Sequence, residues 1–160
     1  MNLTEAITLV RDGSTPEEIS ESLLQEMTYS QLYKKSGRAR KRRAESVQVR
    51  PLKLKYGKDK LLRVEYSYKG SPSVEGIRHK GYVKFLKPLE DPSKWRRAQV
   101  EVSCDCRDFK YKWEVANHTE GSARIVYSNG KAPKETNPNF KPGMCKHLIA
   151  VRNELKEYLG

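Results

Sequence analysis

Residues 99–106 read Gln99-Val100-Glu101-Val102-Ser103-Cys104-Asp105-Cys106. Val100 and Val102 alternate with polar neighbours, the period of a strand with one face turned to a core. The alternation runs into two cysteines two residues apart, which an extended strand presents on the same face. Downstream, Cys145-Lys146-His147 repeats the two-residue spacing. There the chain enters CKHLIAVRNELKEYL (145–159), an amphipathic helix with Leu148, Val151, Leu155 and Leu159 inward. All three cysteines, and one of three histidines, therefore fall into two spaced pairs, one at a strand end and one at a helix start.

That pattern points to metal chemistry. An odd cysteine count does not suit a disulfide framework, and clustered cysteines in a reducing compartment favour metal. Zinc takes four soft or borderline ligands in a tetrahedron, and Cys3His is a common structural set. Cys104, Cys106, Cys145 and His147 are the expected zinc ligands. The start of the last helix favours thiolate over thiol at Cys145 through its dipole.

Cys-x-Cys followed by Cys-x-His, here CDC at 104–106 and CKH at 145–147, resembles the SWIM zinc finger. The resemblance implies ligands on a β-hairpin and the following helix, and the four assignments carry over residue by residue. This sequence departs from the family in its spacer, since 38 residues separate Cys106 from Cys145. Over about residues 98–158, the stretch DFKYKWEVAN…IVYSNGKAPKETNPNFKPGMCKHL is similar to a variant in small proteins of tailed bacteriophages. It implies a phage-encoded part of a virion or DNA-handling assembly.

Working outward, RDFKYKWEVANH (107–118) has helical spacing, with Phe109, Trp113 and Ala116 on one side. Residues 119–143 are rich in Gly, Pro, Asn and Ser and read as an ordered loop carrying one short strand at Arg124–Tyr127. Upstream, Val47, Val49, Leu52, Leu54 and Tyr56 lead into the turn Gly57-Lys58-Asp59, and Leu62, Val64, Tyr66 and Tyr68 lead out of it. These form an expected β-hairpin. Lys69-Gly70-Ser71-Pro72 is a second turn, and GYVKFL (81–86) a third strand. The expected fold is α+β: a small, mostly antiparallel sheet, a zinc knuckle, a C-terminal helix and a helical N-terminal extension.

Three segments follow: an acidic helical extension over 1–33, a basic arm or linker over 34–46, and the zinc-binding α+β domain over 47–160. In the extension, Leu3, Ile7 and Val10 share one face of a short helix. A second helix opens with a Thr15–Glu18 capping box and carries Ile19, Leu23, Leu24 and Met27. That stripe suits packing on the body of the protein, or docking a partner. KKSGRARKRR (34–43) holds seven basic side chains in ten and reads as a mobile or extended arm.

Net charge is +12, unevenly placed: −5 over residues 1–33, +11 over 34–70 and +6 over 71–160. The basic residues Lys34, Lys35, Arg38, Arg40, Lys41, Arg42 and Arg43, with Lys53 and Lys55 on the hairpin, are the candidate contacts to nucleic acid or an acidic partner. Tyr66, Tyr68 and Tyr82 offer stacking surfaces or strand packing.

Enzymatic classes find little purchase. Four protein ligands leave a metal no open position for water. The deaminase H-x-E and P-C-x-x-C signature and the GxxxxGK[ST] phosphate loop are absent. Asp105 and Asp108 read as residues that solvate the site or cap the helix near Asp108, and His79 and His118 as exposed loop histidines. No apolar run approaches the ~20 residues that cross a bilayer, and the start lacks a secretory pattern. The expected setting is the cytoplasm, a phage host's included, or a virion. The expected partners are protein subunits, self or virion, and DNA bound non-specifically, without membrane or small-molecule substrate. A non-enzymatic, zinc-stabilised interaction module follows, with a free basic DNA-binding accessory protein as the other reading.

Overall fold

The computed structural model describes residues 26–49, 51–69 and 78–160. The two expected N-terminal helices lie outside these residues apart from Met27, as does most of the turn after Lys69.

Four antiparallel strands form one sheet in the order β1-β2-β3-β4: β1 Lys53–Tyr56, β2 Leu62–Lys69, β3 Arg78–Phe85 and β4 Val100–Cys104. The hairpin, the third strand and the fourth strand match the two-residue periodicity. The first is shorter than the run from Val47 implied. One face carries Leu62, Val64, Tyr66, Tyr68, Val83, Phe85, Val100, Val102 and Cys104, all buried. Against β4 packs α4, Lys146–Leu159, which buries Leu148, Ile149, Val151 and Leu155. The architecture is α+β, as the sequence implied.

Gly81 is paired with Tyr66 across β2 and β3. The Tyr66 ring lies over it, and a Cβ there would collide with the Tyr66 hydroxyl and the Ser103 carbonyl. The Tyr66 hydroxyl donates to the Ser103 carbonyl (3.2 Å), so one ring ties three strands together. The outer side of β4 is covered as well. The Val100 amide donates to the Met27 carbonyl and the Val102 amide to the Ser122 carbonyl. A covered edge offers no template for stray pairing.

The basic stretch departs from expectation. Instead of an extended arm, it forms α1 Tyr29–Lys34 and α2 Arg38–Ala44, joined through Gly37 at φ 75°. Arg, Lys and Ala are strong helix formers, and α2 consists of little else. Its last-turn Lys41, Arg42 and Arg43 also suit the negative end of the helix dipole. α1 begins with a capping box of Thr28 and Gln31, a Thr-x-x-Gln signature that sequence reasoning passed over. Met27 accordingly sits in extended chain beside β4 rather than on a helix. Its amide donates to the Ser122 hydroxyl (2.8 Å).

Beyond Cys106 the chain forms a π-helical turn, Phe109–Trp113, running into α3, Glu114–Thr119. Phe109, Trp113 and Ala116 are buried, as the helical spacing implied. The strand expected at Arg124–Tyr127 does not form. The amides of Val126, Tyr127 and Ser128 donate instead to the Glu114 carboxylate at 2.8–3.1 Å, so these donors are not available to a strand ladder. Glu114 itself is fully buried.

Candidate metal centre

Two distant segments supply the four expected ligands. Cys104 ends β4, and Cys106 follows in the bend where the Asp105 amide makes the last bond to β3, at the Lys80 carbonyl. Cys145 is the N-cap of α4, with extended backbone at φ −75° and ψ 168°, and His147 lies in that helix's first turn. The approach to Cys145 is pinned by three buried hydrogen bonds. The Asn117 side-chain amide donates to the Gly143 carbonyl (2.8 Å) and accepts from the Gly143 amide (2.9 Å). The Met144 amide donates to the Ser36 hydroxyl (2.9 Å). Gly143 is required here by proximity, since a Cβ would sit 2.6 Å from the Trp113 ring.

One ligand atom from each of Cys104, Cys106, Cys145 and His147 lies within 4.8 Å of the others, a group that can hold a metal ion. Cys104 Sγ is 3.8 Å from His147 Nδ1, which makes Nδ1 the ring nitrogen turned inward. The three cysteines are not disulfide-bonded. Cys104 and Cys145 are buried and Cys106 is half-buried.

The electrostatics suit a cation. Burial pushes the Cys104 thiol up, but hydrogen bonds from Cys106, Cys145 and His147 outweigh it and hold Cys104 well below its ordinary value. Cys106 is raised chiefly by its hydrogen bond to Cys104, and Cys145 chiefly by burial. The three sulfurs and the imidazole are thus close enough that a negative charge on any one sulfur is felt by the others. A buried charge of that kind needs a compensating partner, and three thiolates need one more strongly.

Surrounding residues hold this geometry. The Tyr68 ring stacks on His147 with centroids 3.7 Å apart. Its hydroxyl donates to Asp105 Oδ1 (2.9 Å) and sits 3.6 Å from Cys104 Sγ. The Phe109 amide donates to Cys106 Sγ (3.3 Å). His79 is not an exposed loop residue: it lies on β3, stacks on Tyr68 at 5.1 Å, and places Nδ1 3.3 Å from Asp105 Oδ1. His118 is exposed as expected but belongs to the last turn of α3.

Asp108 does not cap a helix. Arg40 of α2 binds it through two nitrogens, at 2.7 and 2.8 Å, and Trp113 Nε1 donates to it at 3.2 Å. The Arg40 guanidinium also lies over the Trp113 ring, 4.9 Å from its centroid. The basic set therefore divides. Arg40 braces the turn after Cys106, Lys41 lies over Tyr33 at 4.4 Å, and Lys55 pairs with Glu65 at 3.0 Å. Lys34, Lys35, Arg38, Arg42, Arg43 and Lys53 are exposed. Tyr66 and Tyr68 are buried packing residues, and Tyr82 donates to Glu101 (2.8 Å) beneath the Arg63 guanidinium.

Sequence reasoning missed Tyr68, Asn117 and Ser36 as supports of the site. Their partners lie 26 to 108 residues away, and no local pattern marks them. Comparison with protein-family models, curated proteins and solved structures returned no match.

Proposed function

We propose that Cys104, Cys106, Cys145 and His147 hold one structural zinc ion, and that the chain is a non-enzymatic, zinc-clipped interaction module, a phage-encoded part of a virion or DNA-handling assembly. The observation that carries this reading is the meeting of four soft or borderline ligand atoms within 4.8 Å, from segments 38 residues apart in sequence. Tetrahedral bonds to sulfur and imidazole at about 2.0–2.3 Å put ligand atoms about 3.5–3.8 Å apart. The 3.8 Å between Cys104 Sγ and His147 Nδ1 falls at that spacing. A full set of four protein ligands fits a structural role, because it leaves no position for water or substrate.

The resemblance of CDC and CKH to the SWIM finger supports zinc. The similarity of residues 98–158 to small phage proteins supports an assembly role, in a host cytoplasm or a particle. Among the described residues, no helix is long and apolar enough to cross a membrane. Elemental analysis of the purified chain, together with its size in solution, tests the centre: one zinc per chain is expected, and Cys104→Ser should abolish it. Retention of full metal content by Cys104→Ser would overturn the assignment. A virion part should co-purify with particles in fixed stoichiometry.

The exposed Lys34, Lys35, Arg38, Arg42, Arg43 and Lys53 favour a second reading, a free DNA-binding accessory protein. That protein should shift duplex DNA at low salt and release it at roughly a few hundred millimolar.

A further inference from the structure

Between the two ligand pairs the chain does more than close a loop. The π-helical turn and residues 127–136 enclose an open groove of about 1000 Å³, and every residue lining it lies between Cys106 and Cys145. Lys110, Lys112, Lys131 and Lys134 line it against a single carboxylate, Glu135. Two other carboxylates of the segment are engaged elsewhere. Asp108 is bound by Arg40, and Glu114 is buried under three loop amides. Lys131 and Lys134 face solvent, and Lys110 and Lys112 are half-buried beside them.

An aromatic platform accompanies the charge. Tyr111 lines the groove at 53% exposure, with the Lys110 ammonium 4.9 Å from its ring centroid. Tyr127 lines it as well. The groove is built, not a gap between loose loops. The Thr136 hydroxyl donates to the Tyr111 carbonyl, and Asn137 Nδ2 donates to the Lys112 carbonyl (2.9 Å). Beyond the groove, Lys112 lies over the Trp113 ring, on which the Asp108-paired Arg40 of α2 also rests.

We propose that this groove binds single-stranded nucleic acid, with the lysines taking phosphates and Tyr111 stacking on an unpaired base. An exposed ring set among ammonium groups serves a ligand that carries flat bases along an anionic backbone. An acidic peptide uses only the ammonium groups. A duplex keeps its bases stacked on one another and offers Tyr111 no face. The inference extends the interaction role given above, but it does not depend on which metal closes the loop.

The test is fluorescence anisotropy of a labelled oligothymidylate across a salt series, on full-length protein whose metal content and melting curve are measured beforehand. That control separates a failure of the groove from a failure of the metal centre. Tyr111→Ala should weaken binding roughly 10-fold with the salt slope unchanged, and Tyr111→Phe should retain affinity. Lys110→Ala and Lys131→Ala should each reduce the slope by about 0.7. Wild-type affinity in all three alanine variants would overturn the proposal. So would loss of binding through Arg42→Ala/Arg43→Ala alone. Displacement by polyglutamate as effective as by unlabelled oligomer, with Tyr111→Ala silent, would assign the groove to an acidic protein instead.

Discussion

Tyr68 shows how a single side chain can serve two layers of a site. Its ring fixes the plane of His147, and its hydroxyl reaches Asp105 beside Cys104. Groups that orient ligands typically alter metal affinity by about 10–100-fold when removed. Tyr68→Ala should weaken the centre by that order in a chelator competition, whereas Tyr68→Phe, which keeps the stack, should lose less. Glu114 is a second case. Its buried carboxylate substitutes for a strand partner by taking three consecutive amides. Glu114→Ala leaves those donors without their acceptor and should cost about 1–3 kcal/mol in urea unfolding, because a buried donor without a partner carries its desolvation cost.

At the scale of elements, α2 is the instructive case. It buries only Ala44 while packing along α4, and contacts made by charged groups tie it to the rest of the site. Arg40 grips Asp108 with two nitrogens while stacking on Trp113, joining α2 to the turn that follows Cys106. Both partners keep some exposure, which screens the pair below the strength of a fully buried one. Arg40→Ala should cost about 1–2 kcal/mol by urea unfolding, and Arg40→Lys should restore little, because an ammonium cannot supply the planar fork. Gly81 makes a parallel point in the sheet. Gly81→Ala should destabilise by about 1–3 kcal/mol through the collision with Tyr66, a loss that Gly81→Ala/Tyr66→Phe should partly relieve by removing the hydroxyl.

For the whole molecule, the Cys3His cluster sits where the sheet ends and α4 begins, so a bound metal would hold the two layers together. Closing a loop of this length stabilises by roughly 3–4 kcal/mol by analogy with a disulfide. Chelation should therefore lower Tm by roughly 10 °C, given about 2–4 °C per kcal/mol at this size. Zinc added back should restore it, and unchanged melting under a strong chelator would argue against a structural metal.

The sequence by itself marked the four residues that cluster at the candidate metal centre, β4, the hairpin strands and the C-terminal helix. Each is written in a local repeat of two or about 3.6 residues, or in the spacing of Cys104 to Cys106 and Cys145 to His147. Only the tertiary structure decided that the helical basic run is braced at Asp108, 68 residues away, and that Arg124–Tyr127 forgoes a strand for the Glu114 carboxylate. It also decided that Tyr68 lies on His147 and that the spacer folds into a lysine-lined groove. These features arise from pairings between remote residues, whose energies depend on the finished packing and leave no periodic trace in the chain.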